Sequence, residues 1–212
     1  MNIIIERLNK IKSNIHDSKT NIIAVSKTFP IDLIKPLIDS GHTHFGENKV
    51  QEADFKWSDV KKTNKNIQLH MIGKLQSNKA KRAVELFDYI HSLDSVKLAK
   101  NLSKFENQIN KKLKYFIQVN VGGEKQKSGI PTNEVDYFYT YCVKNLNLNV
   151  IGLMAIPPND GNEEKHFKYL FESNSSLGLE HLSMGMSSDY HIALKYKATF
   201  LRIGSLIFGK RD

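Results

Sequence analysis

Short apolar segments alternate with helical segments along the chain, and this alternation constrains the fold more than any other feature of the sequence. Apolar runs separated by helical patterns are typical of parallel strands joined by helices. Eight such runs favour a closed (β/α)8 barrel over an open doubly wound sheet. The eight runs are residues 22–28, 42–47, 68–73, 89–94, 115–121, 150–156, 181–186 and 200–204.

An additional helix is predicted before the first strand, because Ile4, Leu8, Ile11 and Ile15 recur at helical spacing. The chain has 212 residues, a length that (β/α)8 barrels commonly reach as one domain. We therefore predict an α/β fold, a single (β/α)8 TIM barrel with an extra N-terminal helix, in one domain covering residues 1–212.

Two of the intervening helices carry specific boundary signals. Residues 31–40 are predicted as a helix closed by Gly41, in which Pro36 is tolerated only near the first turn. Asp94 or Ser95 is able to cap the helix that runs to about residue 110. Further helices are predicted at residues 48–61, up to residue 87, at 132–145, around 167–171 and at 189–196.

The composition, 40% hydrophobic and 25% charged, is ordinary for a soluble globular protein. No apolar run approaches the roughly 20 residues that a membrane-spanning helix requires. The N-terminal residues lack a signal-peptide pattern. Cys142 is the single cysteine, so an internal disulfide is impossible and a reducing compartment is favoured. We expect a cytoplasmic protein with no membrane partner.

The formal net charge of +9 raises the question of nucleic-acid binding. The basic residues are scattered, however, and no run of them contains interleaved aromatic residues. A solvated charged surface is the favoured interpretation, because charge of this kind governs solubility and nonspecific attraction. RNA binding is the weaker alternative, and it predicts a steep salt dependence of association.

Lys27 follows the first predicted strand at its carboxyl end, and Phe29 and Pro30 break the strand directly afterwards. An ammonium group held away from water loses part of its stabilisation, which favours the neutral, nucleophilic amine. Such an amine attacks carbonyl groups and forms Schiff bases. The alternative is a lysine whose side chain simply extends from the strand end into solvent.

The ends of the seventh and eighth predicted strands resemble phosphate-binding loops. Each combines a glycine with hydroxyl groups and the start of a helix, where free backbone N–H groups favour an anion. In (β/α)8 barrels, phosphate is often held by the loops after these two strands. A phosphate-bearing aldehyde would satisfy both Lys27 and these loops. The loops comprise residues 183–187 (Ser-Met-Gly-Met-Ser) and 202–205 (Arg-Ile-Gly-Ser).

Several segments, taken in order over nearly the whole chain, resemble the signatures of the pyridoxal-phosphate homeostasis protein family. That family folds as one (β/α)8 barrel, similar to the N-terminal domain of alanine racemase. It binds pyridoxal 5′-phosphate (PLP) and helps to regulate the cellular PLP pool, with no established enzyme activity. The segments are AVSKT (24–28), FGENKVQE (45–52), HMIGKLQSNK (70–79), GLM (152–154), LSMGMS (182–187) and RIGSLIFG (202–209).

The resemblance implies a role for each of eight residues. Lys27 would form the Schiff base, and Arg202 would face the pyridine nitrogen. Asn48 and the region of Met71 would line the cofactor ring. The phosphate would be held by Ser183, Ser187, Gly204 and Ser205.

Three positions depart from the family pattern. Lys49 stands where arginine is usual, and the two are not interchangeable in a bidentate contact. His191 replaces a common glutamate. Lys197 replaces a common glycine before the eighth strand, where a lysine is unfavourable if the backbone needs a positive φ.

A carrier is favoured over a catalyst. Guanidinium only donates hydrogen bonds, so Arg202 would hold the pyridine nitrogen unprotonated and weaken the ring as an electron sink. Racemases with the same arginine also use a second base, which in alanine racemase comes from a C-terminal domain. The sequence given ends at Asp212, and we expect that domain to be absent. We predict PLP binding and delivery to apo PLP-dependent enzymes by a monomer, without significant turnover. The alternative is a PLP-dependent amino-acid racemase-like enzyme.

Two further groups have alternative interpretations. His42 and His44 would share one face of a strand as metal ligands do, but without further clustered ligands ordinary barrel packing is favoured and no metal is expected. Lys125 and Lys127, like Lys210, would be able to accept the aldehyde transiently, although a solvated charged loop is the favoured interpretation.

Overall fold

Eight parallel strands form a closed barrel, as the alternation predicts. The computed structural model describes residues 2–124 and 126–209. Each strand pairs in parallel with the next along the chain, and the last pairs with the first. The strands are β1 (Asn21–Val25), β2 (His44–Glu47), β3 (Gln68–Met71), β4 (Tyr89–Leu93), β5 (Lys114–Asn120), β6 (Val150–Met154), β7 (His181–Ser183) and β8 (Phe200–Ile203). A two-residue segment, Ile130–Pro131, also pairs with β5.

Helices surround the barrel, and one precedes it as predicted. They are α1 (Ile3–Lys12), α2 (Ile31–Asp39), α3 (Val50–Thr63), α4 (Ala80–Leu86), α5 (Val96–Ile109), α6 (Val135–Thr140), α7 (Glu163–Ser176), α8 (Tyr190–Lys195) and α9 (Ser205–Phe208). Short 3-10 helices cover Ser77–Lys79 and Thr132–Glu134, and a π-helical turn covers Tyr141–Asn145. The predicted helix at 132–145 is therefore three consecutive helical segments of different pitch.

Helix boundaries correct one sequence prediction and decide between the two alternatives of another. Pro36 lies at the sixth position of α2, beyond the first turn, where it removes the hydrogen bond that residue 36 would donate to the carbonyl of Asp32. Ser95, and not Asp94, caps α5, because its Oγ accepts the N–H of Leu98.

Strand boundaries differ from prediction where the backbone turns early. The second strand was predicted from residue 42, but the N–H of His42 bonds to the carbonyl of Leu37 and so completes the end of α2. The seventh was predicted to reach residue 186. It ends at Ser183 because Gly185 has a φ of +88°. A Cβ on Gly185 would lie 2.7 Å from that of Ala193, so this turn requires glycine.

Two apolar layers hold the barrel together. The larger lies between strands and helices, where α1 contributes Ile4, Leu8 and Ile11. The smaller fills the barrel interior with Ile23, Tyr89, Phe116, Met154 and Phe200. Strand side chains alternate between the two faces, and some of those that face the interior are polar. These are His44, His70, His91, Ser183 and Arg202, whose contacts are described below.

Candidate functional site

A cavity of about 700 Å³ opens at the carboxyl ends of the strands. This is the end at which (β/α)8 barrels carry their sites, and the volume falls within the range of small-molecule pockets. Polar and charged side chains from six of the strand ends reach it. The lining residues used below are Lys27, Asn48, Ile72, Gly73, Lys74, Gln118, Asn120, Lys127, Ser187, Arg202, Gly204 and Ser205.

Six of the eight residues predicted for the site line this cavity, and two do not. The six are Lys27, Asn48, Ser187, Arg202, Gly204 and Ser205. Met71 is 1% exposed and packs in the layer between strands and helices, so its neighbour Ile72 lines the cavity instead. Ser183 is fully buried beneath the cavity, where its Oγ accepts a hydrogen bond from Arg202. The region of Met71 therefore reaches the cavity through Ile72 and not through Met71 itself, and Ser183 contacts the arginine that lines the cavity instead of lining it.

The charged side chains that line the cavity are basic. Lys27, Lys74, Lys127 and Arg202 line it, and no Asp or Glu does so among residues 2–124 and 126–209. Lys127 is paired with Glu124 at 2.5 Å. The excess of basic over acidic side chains in this concave lining focuses a positive field and favours an anionic ligand.

The backbone on either side of Lys27 is held by side chains of α3. Lys56 Nζ donates to the carbonyl of Ser26 at 2.8 Å, and the N–H of Thr28 donates to Glu52 Oε1. Thr28 has a φ of +68°, an uncommon conformation for a β-branched residue. The chain therefore leaves β1 through a constrained turn at the residue after Lys27, and this turn fixes where the lysine side chain starts.

A buried carboxylate organises the same contacts. Glu47 Oε1 accepts hydrogen bonds from Ser26 Oγ at 2.8 Å, Lys56 Nζ at 2.9 Å and Trp57 Nε1 at 2.9 Å. Both side chains of the ion pair are nearly inaccessible, 7% exposed for Lys56 and 0% for Glu47. A pair in such surroundings depends on its hydrogen bonds, because each desolvated charge is costly alone. This cluster connects β1, β2 and α3 directly behind Lys27.

Arg202 enters the cavity from β8 with one side of its guanidinium fixed. Nη1 donates to Ser183 Oγ at 2.8 Å, and Nη2 donates to the carbonyl of Ala155 at 2.9 Å. Burial lowers the pKa of Arg202 to about 10, so it remains a cation at neutral pH. The remaining N–H groups are able to donate to a ligand, and none can accept a proton from it.

The loops after β7 and β8 meet at the cavity, and Gly204 in the second of them lies beside Val25 of β1. Ser187 Oγ accepts the backbone N–H of Leu206 at 3.4 Å, which joins the two loops. Gly204 and Ser205 line the cavity where α9 begins. This arrangement presents hydroxyl and N–H groups to one region, as the sequence predicts for a phosphate.

Sequence reasoning missed several lining residues. Gln118 and Asn120 lie two apart near the end of β5, so strand alternation would have indicated that they share a face. Gly73 follows β3, and a Cβ there would lie 2.5 Å from the carbonyl oxygen of Asn48, so glycine is needed for this close approach. No sequence pattern indicated that Lys74 lines the cavity, because the position of its side chain depends on the turn that follows Gly73.

The alternative candidates are also located. His42 Nε2 bonds to the backbone oxygen of His44, and His44 Nδ1 bonds to His70 Nε2, so both rings are engaged within the fold. Cys142 is buried, and burial raises the pKa of its thiol to about 12. Lys127 lines the cavity, whereas Lys125 and Lys210 lie outside the described residues. No helix in the described part of the chain is long and apolar enough to cross a membrane.

Fold and cavity together define a class of protein: a (β/α)8 barrel with a lysine directly after its first strand and an arginine on its eighth. The family model described as "Alanine racemase, N-terminal domain" matches residues 2–212. The chain belongs to this family and, within it, to the pyridoxal phosphate homeostasis proteins.

Known relatives cover almost the whole chain. The pyridoxal phosphate homeostasis protein of Aquifex aeolicus is 36% identical over 98% of this chain and 95% of its own. The structure of PipY from Synechococcus elongatus without PLP has a TM-score of 0.87 at 33% identity, covering 98% of this chain and all of that one. PipY with PLP bound has a TM-score of 0.86 at 34% identity, covering 97% of this chain and all of that one.

Proposed function

We propose that this protein binds PLP in the cavity through a Schiff base on Lys27 and acts in PLP homeostasis without significant turnover. The observation that carries the proposal is the lining of one cavity by Lys27, Arg202 and the two loops after β7 and β8. PLP combines an aldehyde, a pyridine nitrogen and a phosphate, and these residues offer an amine, a hydrogen-bond donor and an anion site. The relative solved with PLP bound supports PLP as the ligand.

The donor set fits this cofactor. A phosphate dianion suits a cavity that is lined by cations and lacks carboxylates among the described residues. The pyridine nitrogen is an acceptor and suits Arg202, which only donates. Condensation of the Lys27 amine with the aldehyde forms a C=N bond and releases one water molecule. The covalent bond and the phosphate contacts act at separate ends of the ligand and orient it.

Arg202, the residue proposed to contact the ring nitrogen, supports the absence of significant turnover. PLP enzymes that use the ring as an electron sink are assisted by an acidic partner, whereas Arg202 disfavours ring protonation. Lys74 and Lys127 are the other amine bases among the described lining residues. A racemase-like alternative would have to use one of them on the face opposite Lys27. Racemisation of free amino acids by the purified protein measures this directly, and efficient turnover would contradict the carrier assignment.

The covalent site is tested by borohydride reduction followed by mass spectrometry. We expect one PLP adduct on the peptide that contains Lys27, and a yellow protein before reduction. Lys27→Ala should lose the colour and the adduct. Lys168→Ala is the matched control, because the side chain of Lys168 is 62% exposed on α7, far from the cavity. Full-stoichiometry colour in Lys27→Ala would overturn the assignment.

Delivery is a separate step of the proposal. We propose that the bound cofactor passes to apo PLP-dependent enzymes in the cytoplasm, and that the protein acts as a single-domain monomer. Light scattering after size exclusion measures the oligomeric state. Recovery of activity by an apo-enzyme mixed with the yellow protein, in the presence of a trap for free PLP, measures direct transfer. Recovery that the trap abolishes would show release into solution instead.

A further inference from the structure

Three histidines form a hydrogen-bonded column through the inside of the barrel and end at Arg202. His44 Nδ1 lies 2.9 Å from His70 Nε2, and His70 Nδ1 lies 2.9 Å from His91 Nε2. His91 Nδ1 lies 2.7 Å from Ser183 Oγ, which accepts from Arg202 Nη1 at 2.8 Å. The column connects β2, β3, β4, β7 and β8.

The cation at one end fixes the direction of every bond in this column. Guanidinium only donates, so Ser183 Oγ accepts from Arg202. No other partner of Ser183 Oγ is found within residues 2–124 and 126–209, so its own hydrogen is donated to His91 Nδ1. His91 therefore carries its proton on Nε2 and donates to His70 Nδ1, and His70 in turn donates from Nε2 to His44. The reverse direction would leave the buried Ser183 hydroxyl without an acceptor, which is unfavourable.

The surroundings keep these rings neutral. His70 and His91 are fully buried, and burial holds the pKa of each well below its ordinary value. Arg202 adds to this effect at His91, while His91, His44, Lys61 and His42 add to it at His70. The pKa of His44 is lowered to about 4, first by burial and then by Lys114, while Asp88 acts in the opposite sense.

The two ends of the column lie at different mouths of the barrel. Arg202 lines the large cavity at the carboxyl ends of the strands. His44 borders a smaller hollow of about 340 Å³ at the amino ends, together with Lys12, Asp17 and His42. The interior rings pack tightly, with His70 stacked on Tyr89 at 4.2 Å and His91 on Phe116 at 4.3 Å between centroids.

We propose that this column is a positioning device for Arg202: a one-way chain of neutral imidazoles holds the Ser183 hydroxyl in the orientation that accepts from the guanidinium. The free N–H groups of Arg202 are thereby held towards the cavity and its ligand. His91 is the positioning residue nearest to Arg202, and the effect of a substitution should decrease from His91 to His70 to His44. The identity of the ligand as PLP rests on the proposed function above, whereas the column does not.

The column itself is tested in ligand-free protein by ¹⁵N NMR of the histidine rings. We expect Nδ1 of His44, His70 and His91 to be of the unprotonated, pyridine type, and Nε2 of His70 and His91 to be protonated. These signals should not titrate between about pH 6 and about pH 8, where a solvated histidine does. A protonated Nδ1 on His91 would overturn the proposal, whatever the protein binds.

The effect on the ligand is tested with paired variants at residue 91. His91→Phe preserves an aromatic ring against Phe116 but removes the acceptor for Ser183. His91→Asn places an oxygen near the position of Nδ1 and should restore that contact. We expect about tenfold weaker PLP binding for His91→Phe, about 1.4 kcal/mol, and binding within about twofold of the parent for His91→Asn.

A spectroscopic signature separates positioning from general loosening of the barrel. A displaced Arg202 opposes protonation of the ring nitrogen less. The pH at which half of the bound chromophore carries a protonated ring nitrogen, read from its absorbance, should therefore rise in His91→Phe and return to the parent value in His91→Asn. His181→Phe is the matched control, because His181 faces the barrel interior beside Phe200 outside the column. Equal midpoints in parent and His91→Phe would overturn the proposal, while a colourless parent would instead contradict the proposed function. If His91→Phe does not fold, the NMR result on the parent decides alone.

Discussion

Lys56 Nζ donates to the carbonyl oxygen of Ser26 at 2.8 Å, so a buried cation on α3 holds the residue that precedes Lys27. The same ammonium neutralises Glu47 at 2.9 Å. The stability of the fold and the position of Lys27 therefore depend on one ion pair, because the same ammonium holds the residue before Lys27 and neutralises the buried carboxylate.

Lys56→Met should destabilise the protein by about 3–5 kcal/mol, because it leaves the charge of Glu47 buried and unpaired. Urea unfolding at constant pH measures this change. The double variant Lys56→Met with Glu47→Gln should recover part of the loss, since the amide carries no charge. Lys62→Met is the control: its pair with Asp59 is solvent-exposed, and we expect a change below about 1 kcal/mol. Equal losses in Lys56→Met and Lys62→Met would contradict the role given to the buried pair.

Ser187→Asp should weaken PLP binding by about a hundredfold or more. The cavity has no carboxylate among the described lining residues, and a new one beside Gly204 and Ser205 would repel a phosphate dianion at short range. Titration of the chromophore with PLP measures the dissociation constant. Ser187→Ala removes only a hydroxyl and should lose about tenfold or less. The difference between the two variants should shrink with added salt, as charge repulsion does.

Lys197→Gly should stabilise the protein by about 0.5–1 kcal/mol. Lys197 has a φ of +57°, which lies in the left-handed region. Glycine, the common residue of the family at this position, adopts that conformation without the steric cost that a lysine has. The gain is reduced by the loss of the contact between Lys197 Nζ and the ring of Phe171, 5.7 Å apart. Lys168→Gly, at an exposed position inside α7, is the matched control and should destabilise by about 1 kcal/mol. Destabilisation of similar size at both positions would contradict the backbone argument.

The barrel and the location of its cavity followed from the sequence because they depend on order along the chain. Eight apolar runs separated by helices give eight parallel strands, and the carboxyl ends of such strands meet at one mouth. Lys27 and Arg202 were predicted at that mouth for this reason. Met71 was misplaced because side chains alternate along a strand, so an error of one residue moves a side chain from the cavity to the layer between strands and helices. Ser183 does face the barrel interior, but it is fully buried below the cavity, at a depth that depends on the stagger of the strands.

The histidine column was beyond prediction for a related reason. His44, His70 and His91 belong to three successive strands, but whether their rings meet depends on the pairing register, in which His70 lies opposite Gly46 and Tyr89. Twist and stagger around the barrel, which no local pattern encodes, bring the rings within hydrogen-bond distance. The sequence pattern suggested His42 and His44 as a pair, but the side chain that bonds to the ring of His44 is His70 on the next strand.

Stability should fall as the pH decreases from about 6.5 towards about 4. Burial lowers the pKa of His42 and of His44 from 6.5 to about 4, and holds the pKa of His70 and of His91 well below 6.5. In this interval these histidines are protonated in the unfolded chain but neutral in the folded protein. Each of them therefore lowers the free energy of unfolding by up to about 1.4 kcal/mol for every unit by which the pH falls. Above about pH 6.5 this contribution is fully present.

Urea unfolding at about pH 7 and about pH 5 measures this loss, which acts through the linkage between protonation and folding. His42→Asn should reduce the slope of stability against pH by about one proton, because one buried neutral imidazole is removed. His16→Asn, at an exposed position after α1, is the control for the substitution itself. A stability that is flat between these two pH values would mean that the interior imidazoles are solvated or already charged, and the neutral column that holds Arg202 would then be wrong.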